Sequence, residues 1–303
     1  MLLFSLAILL GVAVALQSAV NAKLRSFVQS PFLTSFISFT IGSVALFLIF
    51  FSRGEASLLT SLTDLPAWTF IGGLLGVVYL TSNIILFQKI GGVQTAVLPI
   101  FGQVVMGVLI DQFGLFYAPL TAMTWTKALG LVVVLCSVII VTDLVFAAVK
   151  QKSDAPFIWK AVGVGAGMLS AIQAAVNGHL GSLLHSSIAA ATISFVVGTI
   201  CLFLLVIITK APFSRILFAL RETRRSLWVW TGGLLGAFYV FGIAFTVPAL
   251  GAGQVIVLAL FGQLCTSAII EHFGLFGAMK KPVRLLKACA LLLMLGGVML
   301  MKL

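Results

Sequence analysis

Apolar residues run through this chain in long unbroken stretches, and polar residues collect in the short segments between them. Ten stretches stand out, at about 2–22, 32–51, 67–88, 92–110, 126–148, 157–178, 188–209, 228–247, 252–270 and 285–301. About 20 apolar residues in a helix cross a bilayer. The stretches lack the alternation of a barrel strand. Inside lipid every backbone N–H and C=O must be satisfied within its own segment, so each stretch is predicted to be a helix. The expected fold is all-α integral membrane, with ten transmembrane helices.

The second half of the pattern repeats the first. Residues 68–116 align without gaps on 228–276, with 19 of 49 positions identical. Phe101-Gly102-Gln103, Asp111 and Phe113-Gly114-Leu115-Phe116 recur as Phe261-Gly262-Gln263, Glu271 and Phe273-Gly274-Leu275-Phe276. Apolar composition alone would not align glutamines, tyrosines and carboxylates. At an offset of 156, Gln17 and Asn21 match Gln173 and Asn177, and Ser38-Phe39 matches Ser194-Phe195. Five helices per copy is an odd number, so the second copy enters the membrane from the other side. Inverted-topology repeats of this kind are a common transporter plan, with the substrate site at the midplane between copies. The expected units are 1–149 and 157–303, joined by a cytoplasmic linker at 150–156.

Composition agrees. Of 303 residues, 61% are hydrophobic and 8% charged, with a mean hydropathy of +1.24. Soluble domains carry about 25% charged residues. The net charge of +11 lies in short connections and forms no continuous face for phosphates, so nucleic acid is not an expected partner. Fifteen of the 18 Lys and Arg residues fall in the connections after helices 1, 3, 5, 7 and 9. The positive-inside rule then places both termini outside. The basic connection 210–227 interleaves Ile216, Leu217, Phe218 and Leu220 with Arg, which fits a short helix lying on the membrane or an ordinary solvated loop. No basic segment precedes the first apolar stretch, so it is expected to be a retained helix and not a signal peptide. Cys136, Cys201, Cys265 and Cys289 each sit inside an apolar stretch without CxxC spacing, so no zinc site or disulfide framework is expected.

Polar side chains within the stretches are the candidates for function, because a polar group facing lipid is costly. Gln17 with Asn21 and Gln173 with Asn177 are spaced four apart, on one helix face. Gln103 and Gln263 lie near mid-helix, and Tyr79, Asn83 and Tyr239 lie on adjacent stretches. All nine are candidates for a substrate pathway. Interhelical hydrogen bonding is the competing account of the Gln/Asn pairs. Asp111 and Glu271 are the acids inside the repeated motif and are candidates for ion coupling. An acid at a helix C-terminus opposes the dipole, so each should have a specific partner. Pro99 suggests a local irregularity beside Gln103, where the second copy has Ala259. No GxxxxGK[ST], HExxH or GxSxG occurs and the three histidines are scattered, so neither ATP hydrolysis nor an intramembrane enzyme is expected, and no metal or cofactor is called for.

Two five-helix repeats, an early Gln-x-x-x-Asn and Gly-Gln-x7-[Asp/Glu]-x-Phe-Gly-Leu-Phe together resemble the YdcZ-like family of the drug/metabolite transporter superfamily, across nearly the whole chain. The resemblance implies a secondary transporter of the inner or plasma membrane with an antiparallel two-domain core. The first-helix glutamate of small multidrug exporters has no counterpart, since Gln17 and Gln173 occupy that helix. The expected function is secondary transport of small metabolites or drug-like compounds by alternating access. A lipid or lipid-linked precursor flippase would instead show a lateral polar opening, and a scaffold or sensor would show packed amides and no central cavity. The expected partners are an unknown small molecule, the bilayer and a second copy in a homodimer.

Overall fold

The computed structural model describes residues 1–142 and 156–302, and those residues hold helices and no strand. The order is α1 Leu2–Val28, α2 Pro31–Ser52, α3 Gly72–Phe113, α4 Trp125–Val141, α5 Phe157–Leu183, α6 Ser187–Ile208, α7 Ser214–Glu222, α8 Gly232–Leu250, α9 Ala252–Phe273 and α10 Leu285–Lys302. Six of these (α1, α2, α5, α6, α8 and α9) are long and apolar enough to cross a membrane, and shorter apolar helices cover Val97–Phe113, Trp125–Val141 and Leu285–Met301. The expected linker at 150–156 and the end of the stretch 126–148 fall outside the described residues, apart from Pro156.

Helix boundaries follow local chemistry, and the two copies use the same devices. Ser30 caps α2, accepting from the Leu33 N–H at 3.3 Å, and Ser186 caps α6 through the Ala189 N–H at 3.0 Å. Such a cap satisfies one of the orphan donors of a helix start. Behind the shared Phe-Gly motif, the Thr121 N–H donates to the Asp111 carbonyl, and the Lys281 N–H donates to the Glu271 carbonyl, both at 2.8 Å.

One expectation is corrected. The stretches 67–88 and 92–110 are joined by continuous helical structure, Gly72–Phe113, and not by a loop. The run is nevertheless sharply bent. A Cβ placed on Gly163 would lie 3.6 Å from Leu86 Cδ1 and 3.0 Å from Leu98 Cβ. A straight helix would hold residues 86 and 98 about 18 Å apart. In the second copy the corresponding turn is an open break, with Pro248 near the end of α8 and Gly251 at φ 88, a conformation other residues avoid. The connection 210–227 contains a short helix, α7, whose Ala219 is buried against Leu24, Val28 and Leu33 of the α1–α2 end.

The copies pack on each other through reciprocal contacts. A Cβ on Gly11 would collide with the Ala259 carbonyl, and one on Gly167 would collide with the Pro99 carbonyl. Gly102 meets the Val164 carbonyl as Gly262 meets that of Ile8, and Gly73 meets Ser194 as Gly233 meets Ser38. Without small residues the backbones could not approach this closely. The helix is not interrupted at Pro99 as expected: the residue lies within helical structure, with its carbonyl against Gly167. The apolar core runs along the same seam, joining Ala7 and Leu10 of α1, Ile100 and Val104 of α3, Ala171 and Ala175 of α5, and Val255 to Leu258 of α9.

Candidate functional site

The amides of the two copies converge. α1 supplies Gln17 and Asn21, α3 supplies Tyr79 and Gln103, α5 supplies Ser170 and Gln173, α8 supplies Tyr239 and α9 supplies Gln263 to one cavity of about 450 Å³. Seven of the nine expected pathway residues therefore line a common space. Gln103 Nε2 donates to Ser170 Oγ at 3.1 Å and to Tyr79 Oη at 3.4 Å. Phe39 and Phe195, stacked with centroids 4.8 Å apart, form one wall.

The other two expected residues lie elsewhere. Asn83 spends its amide on its own helix, donating to the Tyr79 carbonyl at 3.0 Å, and is not in the lining. Asn177 is 1% exposed, with Oδ1 set over Gly72 where any side chain would go. Asn21 Oδ1 lies over Gly232 in the same way, while its Nδ2 donates to Ser38 Oγ at 3.3 Å. Both Oδ1 atoms are buried and lack a hydrogen-bond partner among the described residues. Each sits at the first turn of a helix, α3 or α8, whose positive end favours a carbonyl oxygen there.

The cavity treats its two ends differently. At the α1–α2 end it reaches Ala22 and Arg25, both exposed, and Pro31, Thr34 and Ser35. The matching residues at the α5–α6 end are Gly178, Gly181, Ser187, Ala190 and Ala191, and all but Ser187 are buried. Trp68, Tyr117 and His179 cluster there with nearly parallel rings, His179 lying 5.3 Å from Trp68 and 4.5 Å from Tyr117. Their counterparts at the α1–α2 end are Trp228, Gly277 and Lys23, so no such cluster can form. Leu180, Leu184, Ala189 and Ala190 add an apolar cover with Leu58 and Leu62.

The two acids of the motif also part company. Asp111 is 7% exposed and accepts from the Ala252 N–H at 2.6 Å and the Gly253 N–H at 2.9 Å. It caps the start of α9 across the seam, which supplies the partner that its place near a helix end demanded. Glu271 pairs instead with Lys287 at 3.2 Å, within its own copy, and is 39% exposed. Neither acid lines the central cavity. A separate space of about 120 Å³ lies beside Asp111 and Lys127.

A family model for "Putative inner membrane exporter, YdcZ" matches residues 2–140 and again 158–300, one match per copy. The chain belongs to the YdcZ family. It is thus a membrane transporter of the drug/metabolite transporter superfamily, as the repeated Gly-Gln motif implied. A crystal structure of another protein, 18% identical, is similar with a TM-score of 0.68, over 98% of this chain and 96% of that one. At that identity the likeness concerns the fold alone. No curated protein matches the chain.

In this YdcZ-family chain the cavity also uses residues that sequence reading did not single out. Arg25 continues the Gln17, Asn21 face by four more residues, so its spacing was a usable signal. Ser170 faces Gln103 from α5, where the first copy has Val14, and no repeat comparison would flag it. The ring cluster draws on three separate elements, and nothing in the linear pattern connects them.

Proposed function

We propose that the protein moves small metabolites or drug-like compounds across the inner membrane by alternating access between two inverted five-helix repeats, crossing the bilayer ten times. One observation carries the reading. Pseudo-symmetric amides surround a single cavity that reaches the surface at one end and is shut at the other. Exchanging the conformations of the two copies would close the Arg25 end and open the Asn177 end, which is how inverted repeats alternate access around a fixed site. A scaffold with packed amides would have no need of such a cavity.

The open end gathers Lys23 and Arg25 with the basic helix α7, which packs on α1 and α2. By the positive-inside rule that end is cytoplasmic, the state is inward-open, and both termini lie outside. Asp111, held by two backbone amides, serves this cycle better as a latch between the copies at the closed end than as a coupling site.

The test is accumulation from a mass-tagged metabolite mixture into vesicles holding the full chain. Gln103→Leu with Gln263→Leu is expected to abolish every accumulation that the unmodified chain supports. An unchanged set of accumulated compounds would sink the site assignment.

A further inference from the structure

The charge distribution of the cavity goes further than its shape. Among the described residues, Arg25 is the only charged one in the lining. It forms no ion pair among the described residues, where the pairs are Arg53 with Glu55 and Lys287 with Glu271. Five of the seven acids are described, and none lines the cavity. The two acids of the repeated motif are already engaged, Asp111 by backbone amides and Glu271 by Lys287.

A cation entering this space would leave water without meeting a carboxylate, and burying an unpaired charge is costly. An anion would meet the opposite situation. Gln17, Asn21 and Arg25 are spaced by four and lie along one face of α1, with Arg25 about 12 Å along the axis from Gln17. A solute entering from the α1–α2 end therefore passes a guanidinium first and then a ring of amide and hydroxyl donors. Guanidinium is the side chain best matched to a carboxylate or phosphate, through paired N–H donors. The second copy has Gly181 at the matching position, so the charge belongs to one mouth and not to the pseudo-symmetric centre. The stacked Phe39 and Phe195 wall accommodates an apolar or aromatic body.

We propose that the cavity selects small organic anions, bearing a carboxylate or phosphate on a partly apolar body, and that Arg25 is the residue that makes the selection. This rests on the transporter reading for its biological use but not for its test, which measures binding alone. The full chain in neutral detergent is titrated with three matched probes, benzoate, benzyl alcohol and benzylammonium, and its thermal unfolding is followed. Benzoate is expected to bind about tenfold more tightly than benzyl alcohol, the worth of one charge-assisted pair, and benzylammonium to bind least. Arg25→Gln should bring benzoate down to the level of benzyl alcohol while leaving benzyl alcohol unchanged, and the unchanged probe shows that the cavity is still folded. Arg25→Lys should recover part of the difference. Equal binding of all three probes, tighter binding of benzylammonium, or a benzoate preference that survives Arg25→Gln would each overturn the proposal. If the benzoate pattern holds but no solute accumulates in vesicles, the selectivity stands and the transporter reading fails. If solutes accumulate but the benzoate preference is absent, the transporter reading stands and this one falls.

Discussion

The two ends of the molecule are built from matching residues, yet one admits solvent and the other does not. At the α5–α6 end, Trp68, Tyr117 and His179 lie ring against ring and Asn177 is sealed under Gly72. At the α1–α2 end the same places hold Trp228, Gly277 and Lys23, and Asn21 borders a cavity under Gly232. The central contacts barely differ between copies, as the paired glycines show. What differs is the periphery: a ring against a glycine, a buried carboxylate against a half-exposed one. A repeat protein that must be open on one side and closed on the other can thus keep a symmetric middle and place its bias in the substitutions at the two mouths.

The comparison makes predictions of descending size. The largest concerns the shared seam. Gly102→Val and Gly262→Val each drive a side chain into the carbonyl of the facing helix, and each is expected to destabilise the fold by about 3 kcal/mol or more, since rigid backbone cannot yield as a side chain can. Thermal unfolding of the purified protein should show losses of similar size. If only one copy suffers, the reciprocal packing is not what holds the halves together.

The acids come next, and here the copies should diverge. Asp111→Ala leaves two backbone amides at the start of α9 without their charged acceptor, with an expected loss of about 3 kcal/mol. Glu271→Ala removes a half-exposed ion pair, expected to contribute less than about 1 kcal/mol. The same unfolding assay separates the two, and equal losses would remove the distinction between a latch and a surface pair.

The smallest effect is at the closed mouth. Tyr117→Gly gives that end the residue which the open end already has. With Cys136, Cys201, Cys265 and Cys289 replaced, a cysteine at Ala190 should react about fivefold faster with a bulky water-soluble thiol reagent, as expected for the loss of one ring contact. A rate that does not change would show that the apolar cover at Leu180 and Leu184, and not the rings, closes this end.

Much of the site was legible in the order of residues. Gln17, Asn21, Gln103 and their mates stand out because a polar side chain in an apolar stretch needs a reason, and the repeat doubled each signal. Asn83 and Asn177 satisfy the same criterion but fall outside the lining, since an amide can equally well be absorbed by a neighbouring backbone or sealed over a helix start. The two-helix reading of 67–88 and 92–110 missed a helical bend, because the first copy has Gln88 where the second has Pro248. Hydropathy reports where the chain is apolar and not how it turns.

By itself, then, the sequence determined membrane residence, helical structure, the twofold repeat and the polar residues that must find partners. Each of these follows from short-range rules: what lipid tolerates, how a helix repeats, and how like segments align. Only the tertiary structure decided which end of the cavity is open, that Asp111 caps a helix of the other copy, and that Arg25 is the one charge in the lining among the described residues. Those outcomes depend on contacts between residues more than a hundred positions apart, and the linear pattern carries no distance between them.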